Sequence, residues 1–217
     1  MPSNGSTCFG KSYSREEILK AIEAIPIKEH SQKEFTSEDD LLHYCADKLN
    51  QGKTLGWFHS GSEFGPRALG RRSILAHPGI DNMKDHINRN IKFREDFRPF
   101  APAVLKDKVG EYFEKGRNSP YMILVDKTKP EYLEQLKNVT HKNGSARVQT
   151  IEKSWNPRFE KLVRAFYEES KIGVLLNTSL NRKGMPMVET PEEALQLFRE
   201  SALDVLVLED IILEKLP

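Results

Sequence analysis

Hydrophobic and polar positions along the chain follow two different periods, which separate expected helices from expected strands. Apolar residues recur every three or four positions in residues 37–50, 81–92 and 156–170, and this spacing predicts amphipathic helices. Capping boxes predict where two more helices begin, since Ser14 precedes Glu17 by three residues and Thr190 precedes Glu193 by three. A further short helix is expected over residues 109–116.

Short continuous apolar runs predict the buried strands of a sheet. They occupy residues 54–59, 72–77, 100–105, 121–126, 172–181, 204–210 and 211–216. Pro102 confines its run to an edge strand or a strand start, and Asn143-Gly144 predicts a hairpin-like turn. The charged stretch 28–39 is predicted to be a loop. The Gly/Ser/Asn-rich residues 1–13 are predicted to be a leader or linker before a single α/β domain, residues 14–217, with a mixed sheet.

Composition narrows the classes of partner. The chain has 217 residues, 38% of them hydrophobic, and a net charge of only +1. This balance disfavours a broad nucleic-acid-binding face. No apolar run reaches the ~20 residues of a membrane span, so no membrane partner is expected. Cys8 and Cys45 lack metal-site spacing, which predicts a reducing, cytoplasmic setting, with a single disulfide as the open alternative.

One region departs from this balance. Between Pro66 and Arg98, eight cations stand against four acids. Glycines at 61, 65 and 70 allow backbone amides to approach an anion, and arginines bind phosphate oxygens in a bidentate way. The alternative is a solvated face paired with Glu63, Glu95 and Asp96. If residues 92–98 form a strand, their cations share one face, above phenylalanines on the other.

Two later segments carry polar residues at places where ligands commonly bind. Arg147 follows the turn at Asn143-Gly144, and Asn177, Ser179 and Asn181 end an apolar strand. Loops that follow strand ends in α/β sheets often form binding sites. Ordinary Asx and Ser/Thr turns are the alternative explanation.

Four motifs in this order resemble the C-terminal region of the O-carbamoyltransferases, the family of the nodulation-factor, cephalosporin and aminoglycoside carbamoylating enzymes. The motifs are EFGPRALGRRSILAHP, KFREDFRPFAPAVL, GSARVQT and LLNTSLNRKGMPMVETPEEAL, starting at residues 63, 92, 144 and 175. The resemblance implies a YrdC-like α/β domain, with a twisted open mixed sheet and flanking helices. It also implies that this domain makes carbamoyl adenylate from carbamoyl phosphate and ATP with Mg²⁺. A separate N-terminal domain, whose H-x-x-x-H motif does not occur in this sequence, would transfer the carbamoyl group to an acceptor hydroxyl.

The resemblance also implies which residues bind. Arg67, Arg147 and Asn177 would bind substrate or nucleotide, and Lys92 and Arg98 would in addition act in catalysis by holding phosphates. Ser179 and Asn181 are secondary candidates, and no residue is predicted to ligate a metal directly. Arg71 and Arg72 are expected to pair with acids or support their turn. The open alternative is a non-catalytic nucleotide- or RNA-binding module that completes a partner subunit.

Overall fold

The fold is built on an eight-stranded mixed sheet. A computed structural model describes residues 6–27 and 29–216. The helices are α1 (Arg15–Ala24), α2 (Glu38–Asn50), α3 (Met83–His86), α4 (Val109–Tyr112), α5 (Pro157–Ser170) and α6 (Pro191–Glu200). The strands are β1 (His30–Glu34), β2 (Leu55–Phe58), β3 (Arg72–Ala76), β4 (Ala101–Leu105), β5 (Val125–Lys127), β6 (Ser145–Arg147), β7 (Gln149–Ile151), β8 (Val174–Ser179), β9 (Val205–Leu208) and β10 (Ile211–Lys215).

The strand order in the large sheet is β1-β10-β9-β2-β3-β8-β4-β7, while β5 and β6 form a separate two-stranded ribbon. The pairs β2–β9 and β4–β7 are parallel, and the other neighbours are antiparallel. In the register of β3 and β8, Ser73 lies opposite Ser179. The end of β8 therefore lies beside the start of β3, where the arginine-rich turn 61–71 enters the sheet.

Helices cover the sheet in two packed pairs, α2 with α5 and α1 with α6. Every residue of β2, β3, β4 and β9 is buried, which explains the apolar runs that these strands contain. Both predicted capping boxes are present, at Ser14 with Glu17 and at Thr190 with Glu193. The predicted mixed α/β sheet with flanking helices is confirmed.

Several local predictions were wrong. The charged stretch predicted as a loop contains β1, the edge strand of the large sheet, which pairs with β10. An edge strand needs few apolar residues, and the polar sequence of β1 therefore lacks the apolar run that predicts a strand. The strand expected at 121–126 is reduced to β5, because Met122 has a left-handed backbone with φ of 56°. Residues 92–98 are a loop, not a strand, so their side chains do not alternate between two faces.

Strand pairing corrects two local predictions, the edge position expected for Pro102 and the hairpin-like turn expected at Asn143-Gly144. Strand β4 lies between β8 and β7, so it is not an edge, and Pro102 is its second residue, before pairing with β7 begins. Gly144 closes the expected turn, its N–H donating to the His141 carbonyl at 2.8 Å. Residues 128–144 connect β5 to β6, however, so that turn is not a two-residue hairpin loop.

The chain before α1 contacts the arginine-rich turn. The Phe64 N–H donates to the Thr7 carbonyl at 2.7 Å, and the Gly10 N–H donates to the Ser62 carbonyl at 3.1 Å. Residues 1–5 of the expected leader lie outside the described residues. Cys8 and Cys45 are both free thiols, so the alternative of a disulfide does not hold. Within the described ranges, no helix is long and apolar enough to cross a membrane.

Candidate functional site

A cleft of about 390 Å³ opens where β8 ends and β4 begins, and we call it the cationic cleft. Its walls come from segments 66–68, 92–101 and 177–185, together with Met122 and Arg147. The structure brings all seven predicted site residues to this cleft. They are Arg67, Lys92, Arg98, Arg147, Asn177, Ser179 and Asn181.

The charged side chains that line the cleft are all positive. Seven cations line it, and none of the described lining residues is a carboxylate. Sequence reasoning missed three of these cations, namely Arg94, Arg182 and Lys183. Arg182 and Lys183 come shortly after the polar end of β8 in the sequence, and this position could have indicated that they belong to the site. Each has an acidic partner at the surface, with Arg182 2.8 Å from Glu200 and Lys183 2.6 Å from Glu95.

Three cations keep their guanidinium groups available to a ligand. In residues 6–27 and 29–216, no carboxylate lies within 4.0 Å of Arg67, Arg98 or Arg147. Burial lowers the pKa of Arg147, and the charge of Arg67 lowers it further. The buried Nε of Arg147 also has no hydrogen-bond partner in the described structure. An anion placed between Arg67 and Arg147 would offset this repulsion.

Lys92 is positioned differently from these arginines. Only 2% of it is exposed, and its ammonium donates inward to the loop after β8. The Nζ lies 2.7 Å from Ser179 O, 3.0 Å from Asn181 O and 2.9 Å from Asn181 Oδ1. Burial, followed by the charges of Arg94 and Arg98, lowers the pKa of Lys92 well below its usual value. These three acceptors, with Ser179 Oγ as a fourth at 3.4 Å, oppose that shift, because they accept from the N–H donors of the ammonium.

Asn177 fixes the loop that carries Arg67. Its side chain is buried, and Nδ2 donates to Ala68 O at 3.1 Å and to Gln149 Oε1 at 2.6 Å. Gln149 in turn donates to Leu69 O at 3.0 Å. The Oδ1 of Asn177 has no partner among the described residues. Because a buried acceptor without a donor is costly, this oxygen is suited to an N–H of a ligand.

The neighbouring arginines of the turn are structural, as expected. Glu63 is buried and accepts from the N–H of Leu69 at 2.6 Å and of Arg71 at 2.7 Å. Burial raises the pKa of this carboxyl. Arg71 donates to Trp155 O at 2.7 Å, and Arg72 stacks 3.5 Å from the Phe58 ring centroid. Both arginines are buried, so the alternative of a solvated face is wrong for them.

Gly70 explains why this turn needs glycine. Its φ is 100°, in the region that other residues rarely adopt, and a Cβ there would lie 2.3 Å from the Phe159 ring. The turn is therefore packed directly onto α5.

The loop 92–98 is shaped by a residue that sequence reasoning missed. Helix α3 continues as a π-helical turn, Ile87–Ile91, and the buried Asn88 lies within it. Its Nδ2 donates to Asp96 O at 3.2 Å and to Arg98 O at 3.1 Å, while Oδ1 accepts from Arg94 Nε at 2.7 Å. Asn88 is a polar residue between the apolar Ile87 and Ile91 of the predicted helix, and this pattern could have indicated a buried polar side chain. Single π-turns are frequent at functional sites.

The cleft does not fit a Mg²⁺ ion held by the protein. Proteins bind Mg²⁺ through one or two carboxylates together with substrate phosphates and water. None of the described residues that line the cleft is a carboxylate, and no group of three His, Cys, Asp or Glu residues in the described ranges could hold a metal ion.

Comparisons with known proteins match the part of the chain that contains the cationic cleft. The profile of the family described as "Carbamoyltransferase C-terminus" matches residues 46–215. The nodulation protein NolO of Bradyrhizobium diazoefficiens is 38% identical over 182 residues, which are 82% of this chain and 33% of NolO. The 3'-hydroxymethylcephem-O-carbamoyltransferase of Amycolatopsis lactamdurans is 36% identical over 179 residues, 82% of this chain and 34% of that enzyme. The chain spans about a third of the length of the curated relatives it matches.

Solved structures match the fold. Full-length HypF, in its phosphate- and nucleotide-bound form, aligns with a TM-score of 0.54 at 18% identity, covering 85% of this chain and 22% of HypF. E. coli YciO aligns with a TM-score of 0.53 at 13% identity, covering 82% of this chain and 88% of YciO. At these identities the likeness shows the fold alone. The predicted YrdC-like fold is confirmed.

Proposed function

Because the chain belongs to the carbamoyltransferase C-terminal family, we propose that its cationic cleft binds ATP and carbamoyl phosphate and forms carbamoyl adenylate. One observation carries this proposal: seven cations line a cleft at the end of β8, and none of its described lining residues is a carboxylate. ATP and carbamoyl phosphate are both polyanions that repel each other. A fixed cluster of cations neutralises that repulsion and positions them for reaction.

The proposed reaction balances with one water. Carbamoyl adenylate is the mixed anhydride of carbamate and AMP, so water first releases carbamate and phosphate from carbamoyl phosphate. A carbamate oxygen then attacks the α-phosphorus of ATP, the α–β bridging P–O bond breaks, and pyrophosphate leaves. Negative charge grows on the α-phosphoryl group and on the leaving pyrophosphate. Preorganised cations stabilise such charge most effectively in a partly enclosed site.

The contacts of each residue suggest its role. Arg67, Arg98 and Arg147 have no carboxylate partner among the described residues and would donate to phosphate oxygens. Asn177 Oδ1 would accept from the carbamoyl amide or the nucleotide. Lys92 would act mainly as a positioning residue, because its Nζ holds Ser179 and Asn181 in the cleft wall. Mg²⁺ would arrive on the phosphates of ATP, because none of the described residues that line the cleft is a carboxylate that could hold it.

We also propose that transfer to an acceptor hydroxyl takes place on a separate domain. The relatives are about three times as long as the match. The cephem enzyme is by name an O-carbamoyltransferase, which supports a hydroxyl as the acceptor class.

Pyrophosphate release by the purified chain tests the adenylation step. With ATP and carbamoyl phosphate together, we expect pyrophosphate in the solution and a carbamoyl-AMP mass in the products. Omitting carbamoyl phosphate should abolish both. Arg98→Met should lower the rate about 100-fold, the typical loss of one transition-state donor. Arg89→Met is the matched control, because Arg89 is exposed, pairs with Asp96 and lies outside the cleft.

Two results would contradict the proposal. ATP binding without any pyrophosphate release would favour the non-catalytic nucleotide-binding module. Thermal stabilisation by RNA, but not by ATP or carbamoyl phosphate, would favour the RNA-binding alternative.

A further inference from the structure

A short segment before α1 lies against the arginine-rich turn that carries Arg67. This segment, residues 7–10, is called the strap, and it pairs with residues 61–64 of the turn. Cys8 and Glu63 form an antiparallel bridge between the two segments. Backbone hydrogen bonds of 2.7 and 3.1 Å lie on either side of that bridge.

We propose that the strap is a positioning element for Arg67, which it places in the cationic cleft by holding the first half of the turn. This inference rests on the proposed function, because Arg67 is assigned there to phosphate oxygens. None of the strap residues lines the cleft. The strap therefore acts on a ligand in the cleft through the turn, and not by contact.

Arg67 lies at the exposed apex of the turn, between its two halves. Residues 65–67 are exposed, and within the described ranges no hydrogen bond reaches them. The second half of the turn is fixed to the sheet, since Asn177 of β8 donates to Ala68 O at 3.1 Å. The backbone of the first half, residues 61–64, is hydrogen-bonded to the strap. Release of the strap would free one side of the loop that carries Arg67.

Two glycines bring the strap and the turn into backbone contact. A Cβ on Gly61 would lie 2.3 Å from the carbonyl oxygen of Gly10. Apart from its chain neighbours, the three heavy atoms nearest to that Cβ all belong to Gly10, so a methyl group added there meets the strap. A Cβ on Gly10 would lie 1.9 Å from Ser62 Oγ and 2.9 Å from Glu189 Oε1. The docked strap therefore requires glycine at both positions.

The end of the strap that leads into α1 is anchored to the domain. Tyr13 packs on Phe58 of β2 with 5.8 Å between ring centroids, and Ser14 caps α1. Phe9 of the strap packs edge-on against Phe64 of the turn at 6.5 Å. A strap fixed in this way holds the turn in one position before a ligand arrives. Such preorganisation lowers the entropic cost of placing Arg67 against an anion.

Cys8 reports directly on whether the strap is docked. It is a half-buried free thiol, whereas Cys45 is fully buried and burial raises the pKa of the Cys45 thiol to about 12. Labelling of the whole 217-residue chain with N-ethylmaleimide therefore follows Cys8. Gly61→Ala and Gly10→Ala should both make this labelling several-fold faster. Gly110→Ala is the matched control, because a Cβ on Gly110 meets nothing within 4 Å and Gly110 lies outside the cleft.

Titration calorimetry with inorganic tripolyphosphate, which has the phosphates of ATP but no base, tests the position of Arg67. We expect Arg67→Met to raise the Kd about tenfold or more, as the loss of hydrogen bonds to a charged group does. Gly61→Ala and Gly10→Ala should each raise it about threefold, and the Kd for ATP equally, because a displaced Arg67 loses part of that contribution. Gly110→Ala should leave both Kd values unchanged.

A double variant separates positioning from a general loss of structure. In the Arg67→Met background, Gly61→Ala should raise neither Kd further, because two changes that act through one side chain are not additive. Gly10→Ala alters the strap itself and carries the same comparison if Gly61→Ala fails to fold.

Each other outcome overturns the inference. If Cys8 labels faster while both Kd values stay unchanged, the strap does not position Arg67. If labelling is unchanged, the two glycines do not hold the strap against the turn. If Gly61→Ala weakens binding equally in the Arg67→Met background, the strap supports the fold as a whole. These three results leave phosphate binding by the cleft intact. If the unaltered chain binds neither ligand, the proposed function fails and the positioning role fails with it.

Discussion

Lys92 offers the sharpest test of how the cleft wall is held together. Lys92→Met removes the ammonium but keeps much of the apolar length of the side chain. Ser179 O would retain the N–H of Asn181 at 3.0 Å, and Asn181 Oδ1 would retain the Ser179 hydroxyl at 2.6 Å. The Asn181 carbonyl would lose the one donor that the described structure provides.

The expected cost follows from that single carbonyl. A hydrogen bond from a charged donor contributes about 1.5–3 kcal/mol, so we expect a loss of about 2 kcal/mol in the free energy of unfolding. For a chain of this size that corresponds to a fall in Tm of about 4–8 °C.

Thermal denaturation without ligand, followed by circular dichroism, measures this effect. Lys183→Met is the control, because Lys183 lines the same cleft but its side chain is 58% exposed and pairs with Glu95. Exposed ion pairs contribute little, so its Tm should change by less than about 2 °C. An unchanged or higher Tm for Lys92→Met would refute the reasoning, since the buried charge would then cost as much as its hydrogen bonds contribute.

Three further predictions concern other parts of the chain. Arg147→Met should weaken ATP and tripolyphosphate at least about tenfold by calorimetry, because hydrogen bonds to charged groups contribute about 1.5–3 kcal/mol; an equal loss in the control Arg89→Met would contradict this. Burial lowers the pKa of His59, so the folded chain binds fewer protons than the unfolded chain just below pH 6.5. Stability should therefore fall as the pH drops from 6.5 to the folded-state pKa, and His59→Gln should flatten the Tm profile there; an equally steep profile would assign the loss to other groups. Thr190→Ala should lower the Tm by about 2–4 °C, because an N-cap contributes about 1 kcal/mol; an unaltered Tm would mean that water replaces the cap.

Much of the fold follows from local patterns in the sequence. The capping boxes at Ser14 and Thr190 mark helix starts because their hydrogen bonds lie within one turn of chain. The buried strands β2, β3, β8 and β9 show as apolar runs because both of their faces are covered. The polar edge strand β1 escaped detection, since its pairing with β10 involves residues at the opposite end of the chain.

The site was only partly predictable for the same reason. The sequence by itself determined the chemistry: which motifs carry cations, and that Asn177, Ser179 and Asn181 follow a strand. Tertiary structure decided how each side chain is used. Arg67 faces the cleft, while Arg71 at the end of the turn and Arg72 at the start of β3 are buried. Lys92 is held by Ser179, which is 87 positions away along the chain. Burial and hydrogen-bond partners depend on such distant contacts, and a local pattern of charges does not contain them.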